Sequence, residues 1–345
     1  MSTLNKVSPF ILGFDGTEIS HETRKTIEAL CPVGFIVFGR NIQSPTQLKA
    51  LSADLKTLSP LKNPLIFIDQ EGGRVRRLRG KGVYNAQPAR DIGRIFERDP
   101  QKGLAAAQWN AYLIARQLQE LGVSVNCMPV ADLLLEGAHS IIGDRAFSAD
   151  PQVVGALCAA SIKGSMAGGV WPVIKHAPGH GRAKADSHEE LPTVNAAAND
   201  LEADFTPFKM NNDCPFVMTA HVKYTALDDK CATTSNKVIK QTLRGALAMT
   251  GTIIADDMFM QALEGSLEAR TQNSLSAGCD LVICGSSSID GRFSGDMWQQ
   301  VKALEGKFGL TPEARARLEG LPTLPQKFEV STQEAQNELD ELMVA

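Results

Sequence analysis

Short runs of branched and aromatic residues alternate along this chain with longer stretches in which apolar positions recur every three to four residues. The runs fall at residues 9–14, 34–38, 64–68, 123–127, 172–174, 215–219, 252–255 and 280–284. They are nearly continuous in apolar character, which suits strands of a parallel sheet buried on both faces. Between them, residues 45–58, 104–121, 153–166, 201–211, 237–249 and 258–277 carry the helical period. Eight strands separated by helical segments predict an α/β fold, a (β/α)8 barrel of the TIM type. No linker or low-complexity stretch divides the chain, so one domain is expected, with its core over about residues 8–305 and a peripheral helical extension over 306–345.

In such a barrel the C-terminal ends of the strands converge on one face, and chemistry sits there. The residues at or just past the predicted ends are Asp15, Arg40 with Asn41, Asp69, Asp132, Lys175 with His176, His221, and Asp256 with Asp257. Helix capping accounts for any single aspartate among them, but not for the lysine and the histidines. Two connections, 70–103 and 128–150, are longer than a barrel needs, and long loops in compact domains are usually functional or mobile. Arg74, Arg76 and Arg79 in the first of these read as a solvated charge run.

The densest candidate chemistry follows the run at 172–174. Lys175-His176-Ala177-Pro178-Gly179-His180-Gly181 and Asp186-Ser187-His188 place three of the six histidines within thirteen residues. In locally extended chain, residues two apart share a side, so Asp186 is positioned to accept a hydrogen bond from one ring nitrogen of His188, leaving the other free for proton transfer. A lone Asp-x-His is often no more than a loop histidine satisfied by its neighbour; the adjoining lysine and histidines favour chemistry. The proline and glycines fit either a tight turn or a flap that swings over a pocket.

Net charge is −4 with the two signs interspersed, so no basic stripe marks a nucleic-acid partner. No segment has eighteen uninterrupted apolar residues and the N-terminus lacks an export pattern, so neither a membrane nor a secreted location is expected, and the cytoplasm is. The seven cysteines are scattered without a Cys-x-x-Cys pair, as in the reduced core of a cytosolic protein. A zinc hydrolase using His176, His180, Asp186 and His188 is the competing reading of the cluster. Against it stand the absence of a His-Glu-x-x-His pattern and the repulsion Lys175 would exert on the ion. No metal and no cofactor are expected.

Three motifs occur in order: Ile68-Asp69-Gln70-Glu71-Gly72-Gly73-Arg74-Val75, the histidine cluster, and Asp256-Asp257-Met258. Together they resemble glycoside hydrolase family 3, and more closely its single-domain bacterial β-N-acetylhexosaminidases. Weaker matches at Phe38-Gly39-Arg40-Asn41, over 126–132 and at Ala277-Gly278-Cys279-Asp280 extend the resemblance to about residues 10–285. The histidine motif is highly specific, and the aspartate motif is weak alone.

The resemblance implies retaining removal of a terminal β-linked N-acetylglucosamine. Asp256 would be the nucleophile, His188 held by Asp186 the acid/base, and Asp69, Arg77, Arg145, Lys175 and His176 the residues that hold the sugar. Retaining hydrolysis ordinarily uses two carboxyl groups about 5 Å apart. Here an imidazole takes the second role, and imidazoles ordinarily titrate near pH ~6.5, suited to both giving and taking a proton. His221 is a candidate to support the site and His180 a structural residue. Two positions depart from the family pattern: Ala177, where an aromatic is frequent, and Ala255, where a small hydroxyl residue commonly precedes the nucleophile.

The implied substrate is a peptidoglycan fragment, N-acetylglucosamine β-1,4-linked to an anhydro-muramic sugar with or without peptide, handled by a monomer in cell-wall recycling. The alternatives are a phosphorylase or a broader β-glycosidase of the same family, and a non-catalytic sugar-binding protein.

Overall fold

The computed structural model describes residues 3–61, 63–286 and 293–344. Residues 287–292, within the predicted core, and 345, in the predicted tail, lie outside the described residues. Each of the eight apolar runs forms a strand: β1 Ser8–Leu12, β2 Pro32–Val37, β3 Leu65–Ile68, β4 Val125–Asn126, β5 Trp171–Ala177, β6 Phe216–Thr219, β7 Thr252–Ala255 and β8 Leu281–Cys284. They pair in parallel in sequence order, and β8 returns to β1 with Phe10 opposite Val282, so the sheet closes. The fold is the predicted (β/α)8 barrel.

Alternation along the strands divides the core in two. Ile11, Leu65, Phe67, Val173, Phe216, Met218, Ile254, Leu281 and Ile283 fill the barrel interior. Their chain neighbours, such as Phe10, Ile66, Ile174, Val217, Ile253 and Val282, pack outward against the helices. Phe67 and Phe216 meet edge to face inside the barrel at 5.8 Å, a geometry that adds about 0.5–1.5 kcal/mol beyond the buried area.

The helices are α1 His21–Leu30, α2 Pro45–Leu58, α3 Ala89–Arg98, α4 Pro100–Glu120, α5 Pro151–Ala167, α6 Ala198–Met210, α7 Leu267–Ala277, α8 Gly295–Lys302, α9 Pro312–Glu319 and α10 Thr332–Val344, with a π-wound helix at Lys237–Ala246. Side-chain oxygens of Ser44, Asp99, Asp150 and Thr311 cap α2, α4, α5 and α9, and each cap is followed by proline at the first helical position. That pairing satisfies an orphan N–H and supplies a preset φ at the next residue.

The helix predicted at 258–277 begins only at Leu267. The apolar residues Met258, Met260, Ala262 and Leu263 are buried, but as a loop. Its amides are engaged elsewhere: Met258 N donates to Ile283 O at 2.8 Å, Gln261 N to His188 O at 3.3 Å and Ala262 N to Ser187 O at 3.3 Å. The tail is helical as expected, and part of it closes the barrel. Leu310 and Ala314 join Val7, Val33 and Leu65 at the N-terminal ends of the strands, and Arg317 reaches Asp280 at 2.6 Å.

Candidate active site

Extending the inward alternation by one step, two residues past the apolar layer, places Asp69 above Phe67, Lys175 above Val173 and Asp256 above Ile254. All three line a cavity of about 940 Å³ at the C-terminal face of the barrel, together with Glu71, Arg77, Arg145, His176 and His188. Every residue predicted to touch sugar or carry the reaction is therefore brought to one cavity. Asp186 stands behind it, on His188.

Four charges, Lys175 buried and Asp69, Glu71 and Arg145 largely so, form the cavity's base. Lys175 Nζ is 2.9 Å from Asp69 and 2.6 Å from Glu71. Arg77 donates to the other Asp69 oxygen at 3.2 Å, and Arg145 holds both Glu71 oxygens at 2.8 Å. Burial opposes ionisation of both carboxyls, but Lys175 with Arg77 holds Asp69 well below the usual carboxylate range, and Arg145 with Lys175 brings Glu71 down to about 2. Burial works against the cations too, yet Asp69 and Glu71 keep Lys175 above its ordinary value and Glu71 does the same for Arg145. The base is thus a fixed lattice of donors and acceptors, suited to reading hydroxyl groups.

The loop between Asp69 and this lattice needs its glycines. Gln70–Gly72 pairs with Val75–Arg76 in a short antiparallel ribbon. Gly72 has φ +114°, and a Cβ there would lie 2.1 Å from Gln87 O, so only glycine lets the chain turn back and present Glu71 to Arg145.

Asp132, seen in the sequence only as a strand-end charge, organises the histidines. It is fully buried and takes His176 Nδ1 at 2.7 Å, the His176 amide at 3.3 Å and the His180 amide at 2.6 Å. His176 Nε2 is left toward Arg145, 3.5 Å away. His180 is buried, edge to face with His176 at 5.7 Å, with Nε2 3.3 Å from Ser187 Oγ. Burial drives its pKa down to about 4, which makes it a neutral supporting ring.

His188 is half-buried. Asp186 Oδ1 takes both its Nδ1, at 2.7 Å, and its amide, at 2.9 Å. Burial resists the Asp186 charge, and these two bonds still hold its pKa below the ordinary value. With Nδ1 engaged, Nε2 is the nitrogen open to the cavity that His188 lines.

The two adjacent aspartates separate cleanly. Asp257 is buried and accepts the amides of Phe259 and Gly285, each at 3.1 Å. Asp256 faces the cavity, with Oδ1 on the Asp257 amide at 2.8 Å. His221 lies behind this turn. Its Nε2 is 3.1 Å from Asp257 O and its Nδ1 2.7 Å from Thr233 Oγ1. Burial lowers its pKa, and a carbonyl can only accept. The neutral ring therefore donates from Nε2 to Asp257 O and accepts at Nδ1 from Thr233, which supports the backbone beside Asp256.

Fold and site define a barrel enzyme with a polar, charge-lined pocket, in which a carboxylate and a carboxylate-held histidine share one cavity. Comparison with known proteins agrees. The family description "Glycosyl hydrolase family 3 N terminal domain" matches residues 4–315. A beta-hexosaminidase of Nitrosomonas eutropha is 39% identical over 284 residues, 80% of each chain, and one of Aromatoleum aromaticum is 34% identical over 332 residues, 94% of this chain and 90% of the relative. The crystal structure of NagZ from Neisseria gonorrhoeae in complex with N-trifluoroacetyl-D-glucosamine superposes with a TM-score of 0.84 at 28% identity, covering 98% of this chain and 96% of that one. The chain belongs to glycosyl hydrolase family 3.

Proposed function

We propose that this chain, a β-N-acetylhexosaminidase of family 3, is a retaining exo-β-N-acetylglucosaminidase that works through a covalent glycosyl-enzyme. The observation that carries the reading is the shared cavity of Asp256 and His188 above the lattice of Asp69, Lys175, Glu71 and Arg145. The terminal sugar sits in that lattice. Asp256 attacks the anomeric carbon as the bond to the aglycone oxygen breaks, and His188 Nε2 delivers its proton to that oxygen. Water then gives a proton back to His188 and attacks the same carbon, which releases Asp256 and the free sugar. Asp186 keeps the imidazole in the tautomer and orientation both steps require. A histidine in this role, unlike a second carboxylate, brings no negative charge up to the nucleophile.

The substrate we propose is N-acetylglucosamine β-1,4-linked to an anhydro-muramic sugar, with or without peptide, from peptidoglycan turnover. The setting is the cytoplasm, a reading supported by seven free thiols, six of them buried. Among the described residues no helix is long and apolar enough to cross a membrane. A monomer suffices, because every group named above comes from one chain.

The test is mass spectrometry after reaction with a 5-fluoro N-acetylglucosaminyl fluoride. The label is expected on the peptide containing Asp256 and absent from Asp256→Asn. A label on another residue, or continued turnover by Asp256→Asn at the parent rate, overturns the mechanism.

A further inference from the structure

The cavity extends beyond the sugar lattice. At about 940 Å³ it stands at the upper end of the ~300–1,000 Å³ typical of small-molecule sites, which leaves room for part of an aglycone. Its charges do not balance. Among the described residues, six cations line it (Arg40, Arg76, Arg77, Arg79, Arg145 and Lys175) against four carboxylates (Asp15, Asp69, Glu71 and Asp256).

Pairing locates the excess. Lys175 and Arg77 neutralise Asp69, Arg145 and Lys175 serve Glu71, and Arg40 lies 3.1 Å from Asp15. Arg76 and Arg79 are left without a carboxylate partner among the described residues. They are nevertheless held in place. Arg76 donates from Nε to Gly73 O at 2.8 Å and from Nη1 to Asn85 Oδ1. Arg79 donates from Nε to Arg76 O and from Nη2 to Arg74 O, each at 2.8 Å. Neutral acceptors fix both guanidinium groups without cancelling their charge, and each keeps N–H donors unused. Arg79 is exposed and Arg76 half-buried, so the pair stands on the open side of the cavity rather than in its base. Fixed, uncompensated guanidinium groups are a preorganised receptor for a carboxylate.

We propose that Arg76 and Arg79 form an aglycone subsite that selects substrates carrying a carboxylate on the residue leaving the scissile bond. This rests on the glycosidase reading above and adds an assignment to it. The two arginines, which the sequence suggests are only a solvated charge run, become determinants of specificity.

The test compares kcat/KM on four substrates: 4-nitrophenyl N-acetylglucosaminide; N-acetylglucosaminyl-β-1,4-anhydro-N-acetylmuramic acid; the same disaccharide with its lactyl group as a methylamide; and that disaccharide carrying a short peptide ending in a carboxylate. The parent enzyme is expected to favour the acid over the methylamide by about fivefold, the upper end of what one partly exposed charged pair reaches. The preference should weaken as salt rises toward molar concentration. In R76Q/R79Q the ratio is expected to fall to within about twofold, with turnover of the aryl glycoside unchanged.

If the peptide-bearing substrate recovers the preference that the methylamide loses, the subsite accepts a peptide carboxylate; if it does not, it reads the lactyl carboxylate. Either result supports the subsite. A ratio that survives in the double variant, or a parent enzyme indifferent to the methylamide, overturns it. Failure of the glycosidase reading would show differently, as no turnover of the aryl glycoside by the parent enzyme.

Discussion

His188 shows how much one side chain's neighbours decide. Its Nδ1 and its amide both belong to Asp186, so the acid role proposed for it would run through Nε2 alone and depend on a single donor. Losing that donor matters in proportion to how badly the leaving group needs a proton. In His188→Ala, kcat/KM is expected to fall by roughly 10²–10⁴ for alkyl and sugar leaving groups, the range for general acid catalysis, and much less for activated aryl glycosides. A plot of rate against leaving-group pKa measures this, and an equal loss across the series removes the acid assignment. The Asp186–His188 pair is readable from sequence because both partners sit two residues apart. Asp132 with His176, and Glu71 with Arg145, are not, because those contacts span 44 and 74 positions. One signal for Glu71 was present: it lies two residues beyond Asp69, on the same side of an extended chain.

The element carrying His188, the proposed acid, residues 176–190, is anchored unevenly. Its first half is tightly tied: Asp132 takes the His180 amide at 2.6 Å, Tyr224 Oη donates to Gly179 O at 2.7 Å, and Arg182 pairs with Asp204 at 2.5 Å. Gly181 permits close passage, since a Cβ there would meet Leu133 O at 2.3 Å. The tip is held to the loop after Asp256 by two long bonds of 3.3 Å, through the carbonyls of Ser187 and His188. Amides of 184–190 are therefore expected to exchange faster than those of 176–182 in the free enzyme and to slow when a sugar ligand binds, as a catalytic lid's would. Hydrogen exchange followed by mass spectrometry decides it, and a tip equally protected with and without ligand leaves only a rigid turn. At this scale the strands were legible because burial on both faces leaves uninterrupted apolar runs. The loop at 258–265 was not, because its apolar residues fill space while its backbone bonds reach segments distant in sequence.

Across the whole molecule, the buried ionisable groups set how stability follows pH. The barrel and its strand-end charges were foreseeable from the alternation of runs and periods, whereas the closure of the barrel floor by α9 was not, since that helix is mostly polar and reaches the interior cluster through a few scattered residues, Leu310 just before it, Ala314 and the partly buried Leu318. Two kinds of group act in acid. His180, at about 4 in the folded state, and His221, also lowered, stay neutral while an unfolded chain protonates its histidines near pH ~6.5. Between those values the unfolded state binds more protons, so stability falls as pH falls. Asp69, Glu71 and Asp132 are all lowered, so their contribution is present above about pH 4 and is lost as pH drops through their folded values. Asp204 and Asp280 act oppositely: burial raises both, Asp204 to about 6, Arg182 and the arginines beside Asp280 notwithstanding, and their folded forms retain protons that the unfolded form releases. Two histidines and three carboxylates outweigh those two groups. The unfolding free energy measured by denaturant titration is therefore expected to decline from pH 7 to pH 5 and more steeply below 4. In His180→Gln the decline between pH 6.5 and 5 should be shallower by roughly 2 kcal/mol, on about 1.4 kcal/mol per pH interval of one, with the steep acid limb retained. An unchanged slope in that variant would mean that His180 titrates alike in the folded and unfolded protein, and a steeper one that the fold holds its ring protonated; either outcome removes the neutral-ring assignment.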